Sequence, residues 1–224
     1  MILPAIRNIT FHREFLYLLS IFGVISALYG AITALAQNDF KRIAAYSSIS
    51  HMGYILFGLS LFPLIEGIIG AIFHMITHAV SKGLLFLNIG VIRKQTKIRN
   101  IGRISGLASM MPLTAISTAI SCLSLAGTPA FACFISEFLM FLGGFKEGGF
   151  DHFYYVTTAL MIVTTIISLA YSIRLFGSIF FGIPKLQKIK EAKILMVIPM
   201  FLLSLSIIIL GIWPGPIIKL ITTA

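Results

Sequence analysis

The stretch "LAGTPAFACF", residues 125–134, interrupts an apolar run that extends from residue 111 to residue 143. As one straight helix this run would be about 50 Å long, far more than the roughly 30 Å hydrocarbon core of a bilayer. Gly127 is a poor helix former, and Pro129 lacks an N–H and clashes with the preceding turn. The run is therefore predicted to be a discontinuous helix broken near 127–134, a feature that often marks ion sites in transporters. An ordinary proline kink is the alternative interpretation.

The composition around this run is typical of a membrane protein. Of the 224 residues, 58% are hydrophobic and 11% are charged, and the mean hydropathy is +1.01, whereas soluble domains carry about 25% charged residues. We therefore predict an all-α, polytopic membrane protein with about six transmembrane helices of spanning length. The predicted spans are 15–36, 43–62, 66–92, 111–143, 153–182 and 194–213. Residues 1–14 and 214–224 are predicted to be extramembrane tails.

The net charge of +10 arises from basic residues in the short connections between spans, so nucleic-acid binding is not expected. Four basic residues flank one side of the predicted bundle, and eleven flank the other. The smaller group is Arg7, Arg13, Lys146 and Lys219; the larger group is Lys41, Arg42, Arg93, Lys94, Lys97, Arg99, Arg103, Lys185, Lys188, Lys190 and Lys193. By the positive-inside rule both termini lie outside. We expect a prokaryotic cell membrane in preference to the mitochondrial inner membrane.

No cofactor, metal site or catalytic site is predicted. Cys122 and Cys133 lie in one apolar region without the Cys/His spacing of a zinc, haem or iron–sulfur site. The nucleotide-binding patterns GxGxxG and GxxxxGK[ST] do not occur in the sequence. We interpret the two cysteines as buried packing residues.

Three ionisable residues, His74, His78 and Lys82, are spaced four apart inside the third span. This spacing places them on one helix face over about 12 Å, flanked by Thr77 and Ser81. Because ionisable groups in hydrocarbon are costly, three on one face indicate a hydrated interior and favour a proton relay. The alternative is that the histidines satisfy backbone groups while Lys82 snorkels.

Glu137 is an acidic residue well inside a span, beyond the predicted break. A buried carboxylate must be protonated or have a cationic partner, and Lys82 is the expected partner, directly or through water. A secondary polar path is predicted from Lys41, Tyr46 and His51 in the second span, with Ser81 and Thr77. Lys41 could instead be a topology anchor. Arg174 is interpreted as snorkelling to the interface.

The runs "ALAQNDFKRIAAYSSISHMGYI" (34–55), "HMITHAVSKGLLF" (74–86) and "SLAGTPAFACFISEF" (124–138) together resemble the antiporter-like membrane subunits of respiratory complex I. Membrane-bound hydrogenases and Mrp-type cation/proton antiporters contain subunits of the same family. The resemblance implies a fourteen-helix fold of two inverted five-helix bundles, in which these six spans are the last six. It places His74, His78 and Lys82 in the central relay. Glu137 favours the M-type, or chain 4-type, subunit of complex I and hydrogenase subunits.

The sequence departs from this family in one respect, because nothing in it matches the family's first half. Another chain is expected to supply that half, unless this sequence is a fragment. The main hypothesis is a subunit that moves protons, or else Na⁺, driven by redox chemistry in partner membrane subunits. The alternatives are an Mrp-type Na⁺/H⁺ antiporter subunit without a redox partner, and a structural half-subunit that only completes a bundle.

Overall fold

The computed structural model describes residues 12–186 and 189–223, and its regular elements there are helices. The predicted tail residues 1–11, with Arg7, and the loop residue Lys188 lie outside the described residues. The α-helices are α1 (Arg13–Ala36), α2 (Phe40–Ser60), α3 (Ile65–Thr96), α4 (Pro112–Leu125), α5 (Ala132–Gly148), α6 (His152–Phe180), α7 (Ile194–Ile212) and α8 (Gly215–Thr223). Two short 3-10 helices, Ile101–Arg103 and Leu107–Ser109, lie between α3 and α4.

The predicted discontinuous helix is present as the pair α4 and α5, separated by residues 126–131. Two residues of this break have left-handed backbone conformations, Gly127 with φ of 64° and Ala130 with φ of 72°. Because this region of backbone space does not continue a helix, α4 ends and α5 begins as a new element. Because of the break, residues 111–143 do not form one straight helix much longer than the bilayer is thick.

Four helices within the described residues, α1, α3, α6 and α7, are each long and apolar enough to cross a membrane. Helix α2 has a comparable length, but its polar residues from Tyr46 to His51 lower its hydropathy. It begins at Phe40, before the predicted residue 43, because the Asp39 carboxylate caps it by accepting from the N–H groups of Lys41 (2.8 Å) and Arg42 (3.2 Å).

The predicted C-terminal tail contains the short helix α8, which the hydropathy pattern did not predict. Ile221 of α8 is buried in a cluster with Ile69 and Phe73 of α3. This contact holds α8 against the bundle through apolar packing. Helix α3 itself lies at the centre of the fold, where it packs against α2, α4, α5, α7 and α8. A polar face on α3 is therefore shielded from lipid on several sides.

Close contact between α1 and α2 depends on glycines. A Cβ atom on Gly23 would lie 2.8 Å from the backbone nitrogen of Phe57 and 2.9 Å from the carbonyl oxygen of Gly53. Small residues allow backbones of membrane helices to approach in this way, and van der Waals packing then stabilises the pair. The polar run of α2 is thereby fixed between α1 on one side and α3 on the other.

Arg174 has protein partners at the end of α1 that the sequence did not indicate. Its guanidinium donates to the carbonyl oxygens of Leu35 (2.5 Å) and Gln37 (2.7 Å) and to the side-chain oxygen of Asn38 (2.6 Å). The carbonyl groups at the end of α1 lack partners within their own helix. Arg174 satisfies them and joins α6 to the α1–α2 connection.

Candidate functional site: a buried polar cluster around helix α3

The three predicted relay residues of α3 lie on its buried face. The exposed fractions of His74, His78 and Lys82 are 0%, 6% and 5%, respectively. Their spacing of four residues places them along one side of the helix, as the sequence indicated. Because α3 is central in the fold, this face meets α2, α4 and α5 rather than lipid.

The histidines form a triangle with His51 of α2 rather than a simple ladder. The Nδ1 atom of His51 lies 3.1 Å from Nε2 of His74, within hydrogen-bond distance. The ring centroids of His51 and His78 are 4.7 Å apart, and those of His74 and His78 are 6.0 Å apart. His51, predicted only for a secondary path, therefore lies beside both histidines of α3.

Lys82 is bound by α2. Its ammonium group donates to the carbonyl oxygen of Ala44 at 3.0 Å and to the hydroxyl of Ser47. Ser47 in turn donates to the Ala44 carbonyl, 3.1 Å away. These two acceptors lower the cost of burying the lysine, because each replaces a hydrogen bond to water. This role of Ser47 was not predicted from the sequence.

Direct pairing of Lys82 with Glu137 is not found in the structure, so that form of the prediction is wrong. Oε2 of Glu137 instead accepts a hydrogen bond from Thr165 of α6 at 3.4 Å. Its carboxylate also lies against Gly127, where an added Cβ atom would clash with it. Glu137 is thus directed toward the helix break and α6, whereas Lys82 is directed toward α2.

Side chains between these groups connect the histidines to the region of Glu137. Ser136, the residue before Glu137, places its hydroxyl 2.8 Å from Nδ1 of His74. The Tyr54 hydroxyl lies 2.8 Å from Oγ1 of Thr165, and its ring centroid is 5.8 Å from that of His74. Tyr54, Ser136 and Thr165 were not predicted from the sequence, although each lies within a predicted span.

The remaining residues of the predicted path divide into two groups. Thr77 lies 3.5 Å from the Ser136 hydroxyl, and Ser81 lies 2.7 Å from the Ser124 hydroxyl, so both adjoin the cluster. Lys41 is exposed at the start of α2, and the Tyr46 ring packs edge-on against Tyr29 of α1 at 6.5 Å. Lys41 and Tyr46 therefore lie apart from the histidines.

The three histidines are close enough to bind a metal ion, although no metal site was predicted. One ring nitrogen from each of His51, His74 and His78 lies within 4.8 Å of the others. A metal would replace the hydrogen bond between His51 and His74. Nε2 of His51 and Nδ1 of His78 are buried and have no hydrogen-bond partner among the described residues. Such atoms are suited to bound water, and a neutral imidazole can donate a proton at one nitrogen and accept one at the other.

Comparisons with known proteins agree with the motifs. A family model described as "NADH:quinone oxidoreductase/Mrp antiporter, TM" matches residues 1–168. NADH-quinone oxidoreductase subunit M of Rickettsia typhi is 34% identical over 97% of this chain and 43% of its own length. An Na(+)/H(+) antiporter subunit of Alkalihalophilus pseudofirmus is 32% identical over 90% of this chain and 28% of its own length.

The fold is similar to a chain in the structure of respiratory complex I from Thermus thermophilus with bound NADH. The similarity has a TM-score of 0.82 and 31% sequence identity, and it covers 90% of this chain and 42% of the other. The chain thus spans less than half the length of the relatives that it matches.

Proposed function

We propose, from the premise that this chain belongs to the NADH:quinone oxidoreductase/Mrp antiporter family of membrane proteins, that it provides the proton-translocating part of an antiporter-like subunit. The subunit belongs to a complex I-type or membrane-bound hydrogenase-type complex, and redox chemistry in other subunits drives it. The chain itself supplies ionisable and hydroxyl groups, and its sequence predicts no redox centre. Protons, or Na⁺ in some members of this class, are the transported ions.

The observation that carries this proposal is the buried polar cluster on four helices, with Lys82 at one end and Glu137 at the other. His51 and His74 share a 3.1 Å contact, and His74 reaches Ser136 at 2.8 Å. Tyr54 reaches Thr165 at 2.8 Å, and Thr165 reaches Glu137 at 3.4 Å. Ionisable groups inside a membrane bundle mark proton relays in pumps and transporters. A bundle with only a structural role would gain nothing from burying ionisable groups, which costs free energy.

Each group has a role that follows from its chemistry. Lys82 is the central site that gains and loses a proton, and Ser47 and Ala44 hold its ammonium group. The histidines pass protons, because each ring binds a proton at either nitrogen. Glu137 is the outgoing or partner carboxylate. Gly127 and Pro129 interrupt the helix beside it, which leaves room for the carboxylate against the backbone.

The proposal extends to partners and location, supported by the family membership and by the distribution of basic residues in the sequence. A second chain or segment supplies the first half of the fold, and further membrane subunits complete the complex. The bundle lies in a prokaryotic cell membrane with both termini outside, and it contacts lipid through its exposed apolar side chains. The match covers 43% of the length of the Rickettsia relative.

An Mrp-type Na⁺/H⁺ antiporter subunit without a redox partner is the second candidate. The 32% identity to the Na(+)/H(+) antiporter subunit of Alkalihalophilus pseudofirmus favours it, and the same polar groups serve both functions. The two differ in what drives transport: Na⁺ movement in response to an imposed pH gradient supports the antiporter, and proton pumping coupled to electron transfer supports the respiratory complex.

The test replaces Lys82 with alanine in the assembled complex, which is then studied in sealed vesicles. We expect proton pumping to fall by tenfold or more while electron transfer continues in part, since a positioned proton-transfer group contributes about 10²–10⁴-fold. Glu137→Ala should have the same effect. Lys146→Ala is the matched control, because Lys146 is a surface lysine paired with Glu66. Unchanged pumping in both relay variants would show that the chain is a structural half-subunit.

A further inference from the structure

Helix α4, the first half of the discontinuous helix, buries a row of hydroxyl groups. Its apolar side faces outward, with Ile116 61% and Leu123 37% exposed. At about 100° per residue, five hydroxyl residues fall within a sector of about 120° on the opposite side. They are Thr114, Ser117, Thr118, Ser121 and Ser124, all buried. Ala115, Cys122 and Leu125 are buried beside them in the apolar core. Apolar packing therefore accounts for part of this side of α4, but it does not account for the five buried hydroxyl groups.

The hydroxyl face leads from the relay to one end of the bundle. From Thr114 to Ser124 it extends about 15 Å, roughly half the hydrocarbon thickness. At the helix break, Ser124 lies 2.7 Å from Ser81, the chain neighbour of Lys82. At the start of α4, Thr114 donates to Oε1 of Glu191 at 2.6 Å. Glu191 lies in the connection between α6 and α7, where sequence reasoning assigned it no role.

A buried amide lies beside the middle of this face. The Ser117 hydroxyl donates to Oδ1 of Asn88 at 2.9 Å. Nδ2 of Asn88 is buried without a hydrogen-bond partner among the described residues, and rotating the amide would leave its oxygen unpaired instead. Buried polar atoms without a protein partner are the usual positions of internal water. The hydroxyl face therefore adjoins a position suited to water, between α3 and α4.

We propose that the hydroxyl face of α4, together with Asn88, forms a second proton path that joins Lys82 to Glu191. This inference rests on the proposed function, because the path ends at the relay. The path opens on the basic side, defined here as the side that bears the α1–α2, α3–α4 and α6–α7 connections. A proton taken up by the Glu191 carboxylate moves along waters and hydroxyl groups to Lys82. One proton enters and one leaves, and no other bond changes.

The competing explanation is that the hydroxyl groups only join helices. The hydroxyls of Ser117 and Thr118 also lie 3.1 Å and 2.6 Å from the carbonyl oxygen of Thr114 in their own helix. Hydroxyl side chains commonly hold membrane helices together, as the contact of Ser117 with Asn88 of α3 would do. The two explanations differ in hydration, since a packing contact is dry and a proton path contains water. Cysteine accessibility measures this difference directly, and serine-to-cysteine changes nearly preserve side-chain size.

The experiment introduces Ser117→Cys and Ser121→Cys separately into the assembled complex in vesicles. A charged, membrane-impermeant methanethiosulfonate reagent is added to one side at a time, and modification above that of the unsubstituted chain, which contains Cys122 and Cys133, is measured. We expect both variants to react from the basic side. Leu123→Cys, on the opposite face of the same helix and 37% exposed, is the matched control and should stay unreactive. No reaction from either side, or reaction from the other side alone, would overturn the path.

A second measurement addresses transport. Asn88→Leu fills the polar position with an apolar side chain. We expect this variant to slow proton uptake from the basic side about tenfold, which corresponds to a modest increase in the activation barrier for proton transfer. Normal uptake by Asn88→Leu would also overturn the path. The two proposals fail separately: a Lys82→Ala complex that still pumps contradicts the relay, whereas cysteine labelling reports the path regardless of pumping.

Discussion

At the scale of single residues, Gly127 shows how the helix break and the carboxylate depend on each other. Its φ of 64° lies in the left-handed region that favours glycine. The Glu137 carboxylate occupies the space where a Cβ atom would be. Sequence reasoning identified Gly127 as a helix breaker, but its contact with Glu137 depends on how α5 returns toward α4 after the break.

Gly127→Ala should therefore impair proton pumping more than replacing a typical helical glycine with alanine. Left-handed backbone at a residue other than glycine costs about 1–3 kcal/mol, and the added methyl group must also displace Glu137. Gly177→Ala is the matched control, because an added Cβ atom there meets nothing within 4 Å. Pumping rate and thermal stability of the purified complex are the measurements. Equal behaviour of the two variants would contradict the assigned contact.

At the scale of elements, the helix ends are held by side chains distant in sequence. Arg174 of α6 satisfies the carbonyl groups at the end of α1. Glu191 accepts from the N–H of Leu113 at 2.8 Å at the start of α4, where unsatisfied N–H groups and the helix dipole favour an anion. Local sequence indicated where these helices end, but it did not show which distant residues complete them.

Arg174→Leu should lower the melting temperature by several degrees. A hydrogen bond to a charged group contributes about 1.5–3 kcal/mol, and this variant removes several while leaving carbonyl groups unpaired. Arg42→Leu is the control, since Arg42 is exposed at the start of α2. Thermal unfolding in detergent measures both variants. An unchanged melting temperature for Arg174→Leu would mean that these contacts add no net stability.

At the scale of the whole molecule, the ion pair of Lys146 with Glu66 fixes which helix ends lie together. Glu66 and Lys94 both belong to α3 and are separated by about 40 Å along it. Lys146, at the end of α5, is paired with Glu66 and therefore lies at the opposite end of the bundle from Lys94. The discontinuous pair of α4 and α5 thus crosses the bundle once.

Lys94→Cys and Lys146→Cys should consequently be labelled from opposite sides of the membrane. The positive-inside rule predicts labelling of Lys94→Cys from the cytoplasm and of Lys146→Cys from outside. A membrane-impermeant maleimide applied to whole cells and to inverted vesicles gives the measurement. Labelling of both from one side would contradict the crossing, and exchange of the two sides would reverse the predicted orientation alone.

The sequence by itself determined the features that depend on local pattern. Hydropathy and segment length indicate the all-α membrane bundle, Gly127 and Pro129 indicate the break, and the spacing of four places three ionisable residues on one face of α3. Each of these depends on residues within a few helical turns. The family motifs are likewise short runs of neighbouring residues, and the comparisons confirmed the family that they indicate.

Only the tertiary structure decided which partner each buried group has. Lys82 is bound by Ala44 and Ser47, which lie 38 and 35 positions away along the chain. Glu137 is bound by Thr165 of α6, and direct pairing with Lys82 did not occur. Hydropathy does not show which of the many buried polar residues in such a bundle pair with one another. The rotation of each helix about its axis and the close contact of α1 with α2 select among those pairs.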